Sequence, residues 1–166
     1  MPADNLKERL PLVNEAGEVI GSATRGECHG GTKWLHPVVH LHVFNAAGEL
    51  FLQQRPLWKD IQPGRWDTAV GGHVDWGETV EEALLREVRE EIGLTDFAPQ
   101  FMARYIFESE RERELVHVFR TLTSAAPRPS AELAGGRFFA EKEISQRLGQ
   151  GFFTPNFEQE WLQFFG

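Results

Sequence analysis

The stretch from Gly71 to Leu94, GGHVDWGETVEEALLREVREEIGL, constrains the fold of this chain more than any other. Thr79 is followed three residues later by Glu82, a capping box in which both side chains satisfy first-turn N–H groups, so a helix begins there. Apolar residues then recur at every fourth position, namely Val80, Leu84, Val88 and Ile92. Gly93 supplies the left-handed residue that ends a helix. The sequence therefore predicts an amphipathic helix preceded by a glycine-containing loop.

A second side of this helix carries three carboxylates. Glu87, Glu90 and Glu91 are three and four residues apart, and like charges at this spacing destabilise a helix. One interpretation is a solvated acidic face with Arg86 and Arg89 as local counter-ions. The other is a site for a hard cation, because Mg²⁺ and Mn²⁺ prefer clustered carboxylate oxygens together with substrate phosphates.

The loop before the helix favours the cation site. Gly71 and Gly72 allow a backbone carbonyl to approach a metal or a phosphate closely. The whole segment fits the Nudix box, G-x5-E-x7-R-E-U-x-E-E-x-G-U with U a bulky aliphatic residue, at Gly72, Glu78, Arg86, Glu87, Val88, Glu90, Glu91, Gly93 and Leu94. The chain thus resembles Nudix proteins. This resemblance implies an α/β fold, an α/β/α sandwich with a mixed β-sheet flanked by helices, and a divalent-metal enzyme acting on a diphosphate linkage.

The resemblance also implies how the metal is held. One or more Mg²⁺ or Mn²⁺ ions would be bound by Glu87, Glu90, Glu91 and the Gly72 carbonyl, with Glu78 in the outer shell. Arg86 would orient a glutamate through an ion pair within the helix, to Glu90 or Glu82.

The sequence does not decide which residue acts as the general base. Glu90 is the first choice, and Glu112 and Glu114 on the segment after the helix are the alternatives. Arg55, Lys59 and Arg65 lie in the loop that faces the box and could contact phosphate, although surface cations are equally common without such a role. Trp58 and Trp66 could stack on a base, but tryptophan in a small domain is more often part of the core.

A looser resemblance covers most of residues 10–120. His29, His36, the segment QQRPLWKDIQPGRWDT and the GGHV after it are similar in order and spacing to the type-1 isopentenyl-diphosphate isomerases. In those enzymes three histidines and two glutamates hold a metal. By position, the resemblance implies a second metal site at His29, His36, His73, Glu112 and Glu114.

Two departures from the isomerases favour hydrolysis. Gly71 stands where their catalytic cysteine lies, and Asn156 stands where a tryptophan faces their carbocation. Without a thiol to transfer a proton and an aromatic face for a cation, allylic isomerisation loses its chemistry. We therefore expect a Nudix-type pyrophosphohydrolase. The alternatives are an isopentenyl-diphosphate isomerase-like protein and a non-catalytic Nudix ligand-binding domain.

Length and composition set further bounds. The 166 residues predict a single domain, 1–166, with N-terminal strands and a loop in 1–30, the box in 71–94 and a closing helix at 155–165. A single cysteine, Cys28, suits a reducing cytoplasm. Residues 1–4 lack the features of a signal peptide, and no apolar run is long enough for a membrane span.

The expected partner is a small-molecule diphosphate. The net charge of −8 argues against a surface that coats nucleic acid. The tail at residues 152–165 carries more aromatic side chains than one terminal helix needs for its packing. Burial in the core is the favoured use for most of these side chains, and contact with a second copy of the chain in a homodimer is the alternative.

The remaining chain is expected to alternate strands and loops. Strands are predicted in 9–25 around a turn at 14–17, at 38–44, 49–55, 66–70, 101–108, 115–123 and 137–140, loops at 28–33 and 56–65, and helices at 141–148 and 155–165. Alternation in the strand at 38–44 predicts Val38, His40 and His42 on one face and Val39, Leu41 and Val43 on the other.

Overall fold

A computed structural model describes residues 8–59 and 62–165. The prediction for residues 1–4 lies outside the described residues. The strands are β1 Arg9–Val13, β2 Val19–Thr24, β3 Leu35–Phe44, β4 Leu50–Gln54, β5 Trp66–Thr68, β6 Val70–His73, β7 Gln100–Glu108, β8 Arg113–Leu122 and β9 Gly135–Phe139. The helices are α1 Arg25–His29, α2 Val80–Ile92, α3 Glu141–Arg147 and α4 Pro155–Phe164.

β3 is the central strand of a mixed seven-stranded sheet. It pairs in parallel with β8 along its length, from Leu35 opposite Arg113 to Phe44 opposite Leu122. Its other edge pairs antiparallel with β6 over residues 38–41 and with β4 at residues 43–44. β4 continues to β5 and β9, and β8 continues to β7.

One face of the sheet is covered by α2. The capping box of Thr79 and Glu82 is present, and Gly93 ends the helix with a φ of 68°, both as predicted. The predicted alternation of β3 is also confirmed, since Val39, Leu41 and Val43 pack in one buried cluster with the apolar side of α2. This burial fixes which side of α2 faces the sheet, and therefore where its carboxylates point.

The opposite face is covered by α4 and by aromatic side chains. Phe153, Phe157 and Trp161 lie in a buried cluster with residues of β4 and β9, and Phe152 and Phe165 pack against it. The aromatic tail is thus used largely within the chain. Leu162 of α4 lies outside this cluster, because its side chain is 60% exposed. Helices on both faces confirm the predicted α/β/α arrangement.

The region predicted as a loop from Cys28 to Lys33 begins differently. Thr24 and Glu27 form a second capping box, which starts the short helix α1. The T-x-x-E spacing was present in the sequence and marks such a start. Cys28 lies on α1 and is fully buried with Leu10 and Ala23, so it is a core residue. Among the described residues, none of the helices has the length and hydropathy of a membrane span.

Candidate active site

The carboxylates of α2 reach the sheet at β6. Gly72 is the contact point, because a Cβ added there would come within 2.3 Å of Glu87 Cδ. A larger residue would displace this carboxylate. The glycine is therefore required by the position of the Glu87 side chain rather than by a turn.

Glu91 is the most deeply placed of the three carboxylates. Its Oε1 accepts a hydrogen bond of 3.0 Å from Gln53 Nε2, which also donates to the Ala69 carbonyl. Its Oε2 is buried without a hydrogen-bond partner among the described residues. Burial raises the pKa of Glu91 well above its usual range, and the neighbouring Glu87 carboxylate raises it further. The pair holds a negative charge that needs either a proton or a cation.

Glu90 differs from its neighbours in exposure. Its side chain is 53% exposed, and its contact with Arg86 Nη1 is 3.4 Å long. It borders the same cavity as Glu87 and Glu91. Of the three carboxylates, Glu90 is thus the one most available to water.

Arg86 is the fixed centre of this segment. It donates to Glu78 through Nε and Nη2 at 2.7 and 2.9 Å, to Glu87 at 2.7 Å and to the His73 carbonyl at 3.1 Å. These contacts raise its pKa, with the Glu78 hydrogen bonds as the largest cause. Arg86 therefore ties the loop before α2 to the helix itself.

The structure bears on two expectations for this segment. Both oxygens of Glu78 are engaged, by Arg86 and by the Asp75 N–H, and Glu78 is not among the residues that line the cavity. Its pKa is lowered by the Arg86 hydrogen bonds, so in this structure it clamps the arginine, and its place in the outer shell of a metal stays a prediction. Of the two partners expected for Arg86 within the helix, Glu90 is in contact at 3.4 Å, whereas the Glu82 carboxylate accepts from the Thr79 N–H.

A cavity of about 660 Å³ opens beside the carboxylates. Of the cations predicted to contact phosphate, Arg55 and Lys59 line it and Arg65 does not. Trp58 also lines it, while Trp66 packs against the aromatic core. Arg55 lies 3.6 Å from Asp67. The cavity is thus lined by both carboxylates and cationic groups, as a metal-bound phosphate requires.

The predicted histidine set is brought together on the far side of β6. Ligand atoms of His29, His36, His73 and Glu112 all lie within 4.8 Å of one another. Burial lowers the pKa of His36 and lowers that of His73 well below the usual range, so these rings are neutral and able to donate lone pairs. Glu114 is outside this group, with its Oε2 3.9 Å from His36 Nε2.

Two buried atoms in this cluster make no hydrogen bond to the described residues, His36 Nε2 and Glu112 Oε2. His36 Nδ1 bonds to the Trp34 carbonyl at 3.0 Å, which places the lone pair on Nε2. Such a carbonyl contact is typical of metal-ligating histidines. His29 Nε2 lies 3.1 Å from Glu112 Oε2 but without the geometry of a hydrogen bond. The donor set fits a divalent cation.

A second cavity, of about 680 Å³, joins the first. It extends toward the β7–β8 hairpin and is lined by Phe107, Glu112 and Gln159. Both cavities share a floor formed by His40, Arg55, Asp67, Gly71, Gly72, His73 and Asn156. The two positions at which the chain departs from the isomerases, Gly71 and Asn156, therefore lie at the junction.

Several residues of the site were not identified from the sequence. Gln53 positions Glu91, and Asp67 accepts from the Thr154 hydroxyl at 2.8 Å. Asp75 lies 3.3 Å from Arg86, and burial together with a hydrogen bond that protonated Asp75 donates to Glu8 raises its pKa to about 7. A polar residue at the end of an apolar strand, as in FLQQ, was the available signal for Gln53.

A mixed sheet between helices, with a loop–helix segment that presents clustered carboxylates to a cavity, defines an α/β protein of the Nudix type. A family model described as the NUDIX domain matches residues 34–158. The chain belongs to the Nudix family.

The chain is similar to Nudix hydrolases and to isopentenyl-diphosphate isomerases. It is 30% identical to an uncharacterized Nudix hydrolase of Streptomyces coelicolor over 154 residues, covering 90% of this chain and 83% of the relative. It is 27% identical to the isopentenyl-diphosphate Delta-isomerase 1 of Photorhabdus laumondii over 163 residues, covering 93% of each. Among solved structures, the DR0079 protein of Deinococcus radiodurans superposes with a TM-score of 0.80 at 25% identity, covering 96% of this chain and all of that one.

Proposed function

We propose that this chain hydrolyses a diphosphate linkage in a nucleoside diphosphate-linked or related small molecule, with Mg²⁺ or Mn²⁺ as cofactor. The observation that supports this most directly is the buried, unpartnered Oε2 of Glu91 beside the carboxylate of Glu87. A dication relieves the repulsion between two such carboxylates. Glu87, Glu90, Glu91 and the Gly72 carbonyl supply the oxygen ligands that these ions take.

The cation would neutralise the diphosphate and lower the pKa of the attacking water. The chain positions the remaining groups. Gln53 holds Glu91, and the clamp of Arg86 and Glu78 holds Glu87 against β6. Glu90, the exposed carboxylate of the cavity wall, accepts the proton of the attacking water. Arg55 and Lys59 contact phosphate oxygens from the facing wall.

The histidine cluster is proposed as a second metal site, held by His29, His36, His73 and Glu112, with Glu114 at its margin. It supports the alternative of an isopentenyl-diphosphate isomerase-like protein, because four of the five implied ligands lie together. The junction opposes that alternative, since Gly71 offers no side chain to move a proton and Asn156 offers no aromatic face. Hydrolysis needs neither group.

A screen of diphosphate compounds tests the proposal. Nucleoside triphosphates, nucleotide sugars, dinucleoside polyphosphates and isopentenyl diphosphate are incubated with Mg²⁺ or Mn²⁺, and products are identified by ³¹P NMR and mass spectrometry. We expect cleavage between phosphorus atoms. Conversion of isopentenyl diphosphate to its allylic isomer would establish the alternative. Binding without turnover across the panel would indicate a ligand-binding domain.

The Glu91→Gln variant tests the carboxylate pair. Loss of the charge removes a ligand while the amide retains the shape, so we expect kcat to fall by about 10³-fold with the fold preserved. The matched control is Glu81→Gln, an exposed glutamate of the same helix, which should retain wild-type kcat. Wild-type turnover in Glu91→Gln would count decisively against the proposed mechanism.

A further inference from the structure

Glu160 is a fully buried carboxylate that neither proposed metal site uses. It lies on α4 and accepts three hydrogen bonds. His40 Nδ1 and the Tyr105 hydroxyl each donate to Oε2 at 2.5 Å, and His42 Nε2 donates to Oε1 at 2.8 Å. A buried carboxylate with this many donors is ionised and rigidly held, and it needs a positive partner to offset its desolvation.

His40 is the only one of these three donors that lines the cavities. It lies on β3 directly opposite Gly71 of β6, and a Cβ added at Gly71 would lie 3.4 Å from its Cδ2 and 3.7 Å from its Nε2. The absent side chain at position 71 therefore leaves the Nε2 edge of the ring uncovered. Nε2 makes no hydrogen bond to the residues that the structure describes.

We propose that His40, held by Glu160, is an anion-binding residue that donates from Nε2 to a phosphate oxygen of the substrate at the junction of the two cavities. This rests on the proposed function, since the anion is the diphosphate. Nδ1 donates to Glu160, so a second donor at Nε2 makes the ring an imidazolium. One phosphate would then lie toward the carboxylates of α2 and the rest of the molecule toward the β7–β8 hairpin.

The charges around the ring agree with this assignment. Burial alone lowers the pKa of His40, because it disfavours the imidazolium. The carboxylate of Glu160 outweighs burial, and together with Glu114 of β8 and Asp67 of β5 it raises the pKa of His40 to about 9. Glu160 shows the converse, because burial opposes its charge and the two histidines lower its pKa. Tyr105 of β7 stays protonated, since burial and Glu160 raise its pKa.

The choice of His40 over the other cations follows from its rigidity. Its side chain is 13% exposed and its other nitrogen is fixed, so little rotamer freedom is lost when it binds. The Lys59 ammonium, by contrast, lies over the Trp58 ring on the surface loop. A fixed donor on the cavity floor defines where the diphosphate lies relative to Glu87 and Glu91.

The test compares His40→Gln with His42→Gln. Both remove an imidazole bonded to Glu160, but His42 is fully buried and lines neither cavity. With the best substrate of the screen, His40→Gln should raise KM by about tenfold or more with little change in kcat, the signature of a lost binding contact. His42→Gln should leave KM within about twofold of wild type. Equal KM values in the two variants would overturn the proposal.

Binding of inorganic pyrophosphate without metal provides a readout independent of turnover. In ¹H–¹⁵N spectra of the histidine rings, pyrophosphate should shift His40 Nε2 more than any other ring nitrogen, and its Kd should rise about tenfold in His40→Gln. Unchanged His40 resonances would refute the anion contact even if the chain hydrolyses diphosphates. A shift at His40 in a protein without turnover would instead uphold the contact and reject the proposed hydrolysis.

Discussion

At the scale of single residues, the site depends on two adjacent glycines, because a side chain at either position would occupy space that a functional group uses. Gly72 makes room for the Glu87 carboxylate on one face of β6, and Gly71 uncovers the His40 ring on the other. Side chains of consecutive strand residues point to opposite faces. The two glycines therefore serve two different walls of the cavity, although they are neighbours in the chain.

Gly72→Ala tests the first of these roles. The added methyl meets only the end of the flexible Glu87 side chain, so the fold adjusts at a cost of about 1 kcal/mol. The carboxylate must move, and a displacement of this kind lowers kcat by roughly 100-fold. Steady-state kinetics and urea denaturation measure the two effects separately.

Gly21→Ala is the matched control for that variant. Gly21 lies on β2, away from the cavity, and a Cβ there would meet nothing within 4 Å. It should retain wild-type kcat and stability. Full activity in Gly72→Ala would show that the position of Glu87 is unimportant.

At the scale of elements, the loop–helix segment was predictable almost completely. The limits of α2, its capping box, its left-handed end and its buried side all follow from local spacing. What spacing could not give was the main partner of Arg86. The expected ion pair with Glu90 is present at 3.4 Å, but Glu78 in the preceding loop accepts from the guanidinium with both oxygens, which depends on how the loop folds back.

Arg86→Lys tests whether this clamp needs a guanidinium. An ammonium cannot donate to Glu78, Glu87 and the His73 carbonyl in the same geometry. We expect a loss of about 1–3 kcal/mol in the free energy of unfolding, measured by urea denaturation, together with reduced kcat because Glu87 is no longer held. Arg89→Lys, on the exposed side of the same helix, should change neither quantity. A similar loss in both variants would contradict the clamp.

The interaction between β3 and α4 shows the limit of sequence reasoning more clearly. Alternation correctly placed His40 and His42 on one face of β3. Their partner Glu160 is 120 residues from His40, on a helix whose acidic residues gave no signal of burial. Such a pairing depends on the tertiary packing of α4 and has no local spacing to reveal it.

At the scale of the molecule, the histidine cluster joins four elements. His29 comes from α1, His36 from β3, His73 from β6 and Glu112 from the turn before β8. The isomerase resemblance predicted this set by register alone, and the structure brings all but Glu114 together. A cation bound there would connect the N-terminal hairpin region to the sheet.

Mn²⁺ should therefore stabilise the folded chain through this cluster. In the Glu91→Gln background, which weakens the first metal site, Mn²⁺ at about 100 times its Kd should add about 2.7 kcal/mol to the free energy of unfolding. Differential scanning calorimetry measures the rise in Tm, and anomalous scattering from Mn²⁺-soaked crystals locates the ion near His36 and His73.

His73→Gln, added to the Glu91→Gln background, should abolish that rise in Tm. The added variant His117→Gln, which removes a buried imidazole of β8 that bonds to the Val38 carbonyl outside the cluster, should preserve it. A rise that survives His73→Gln would place the stabilising cation elsewhere.

The parallel pairing of β3 with β8 has a consequence for how the protein reaches its native state. Leu35 and Arg113 are 78 positions apart along the chain, and closing so long a segment costs entropy before any contact repays it. The nascent polypeptide must emerge beyond Leu122 before the central ladder can form. The residues of the proposed first metal site, from Gln53 to Glu91, will have been synthesised before β8 exists, but the sheet that supports them forms only afterwards, so catalytic competence should arrive late.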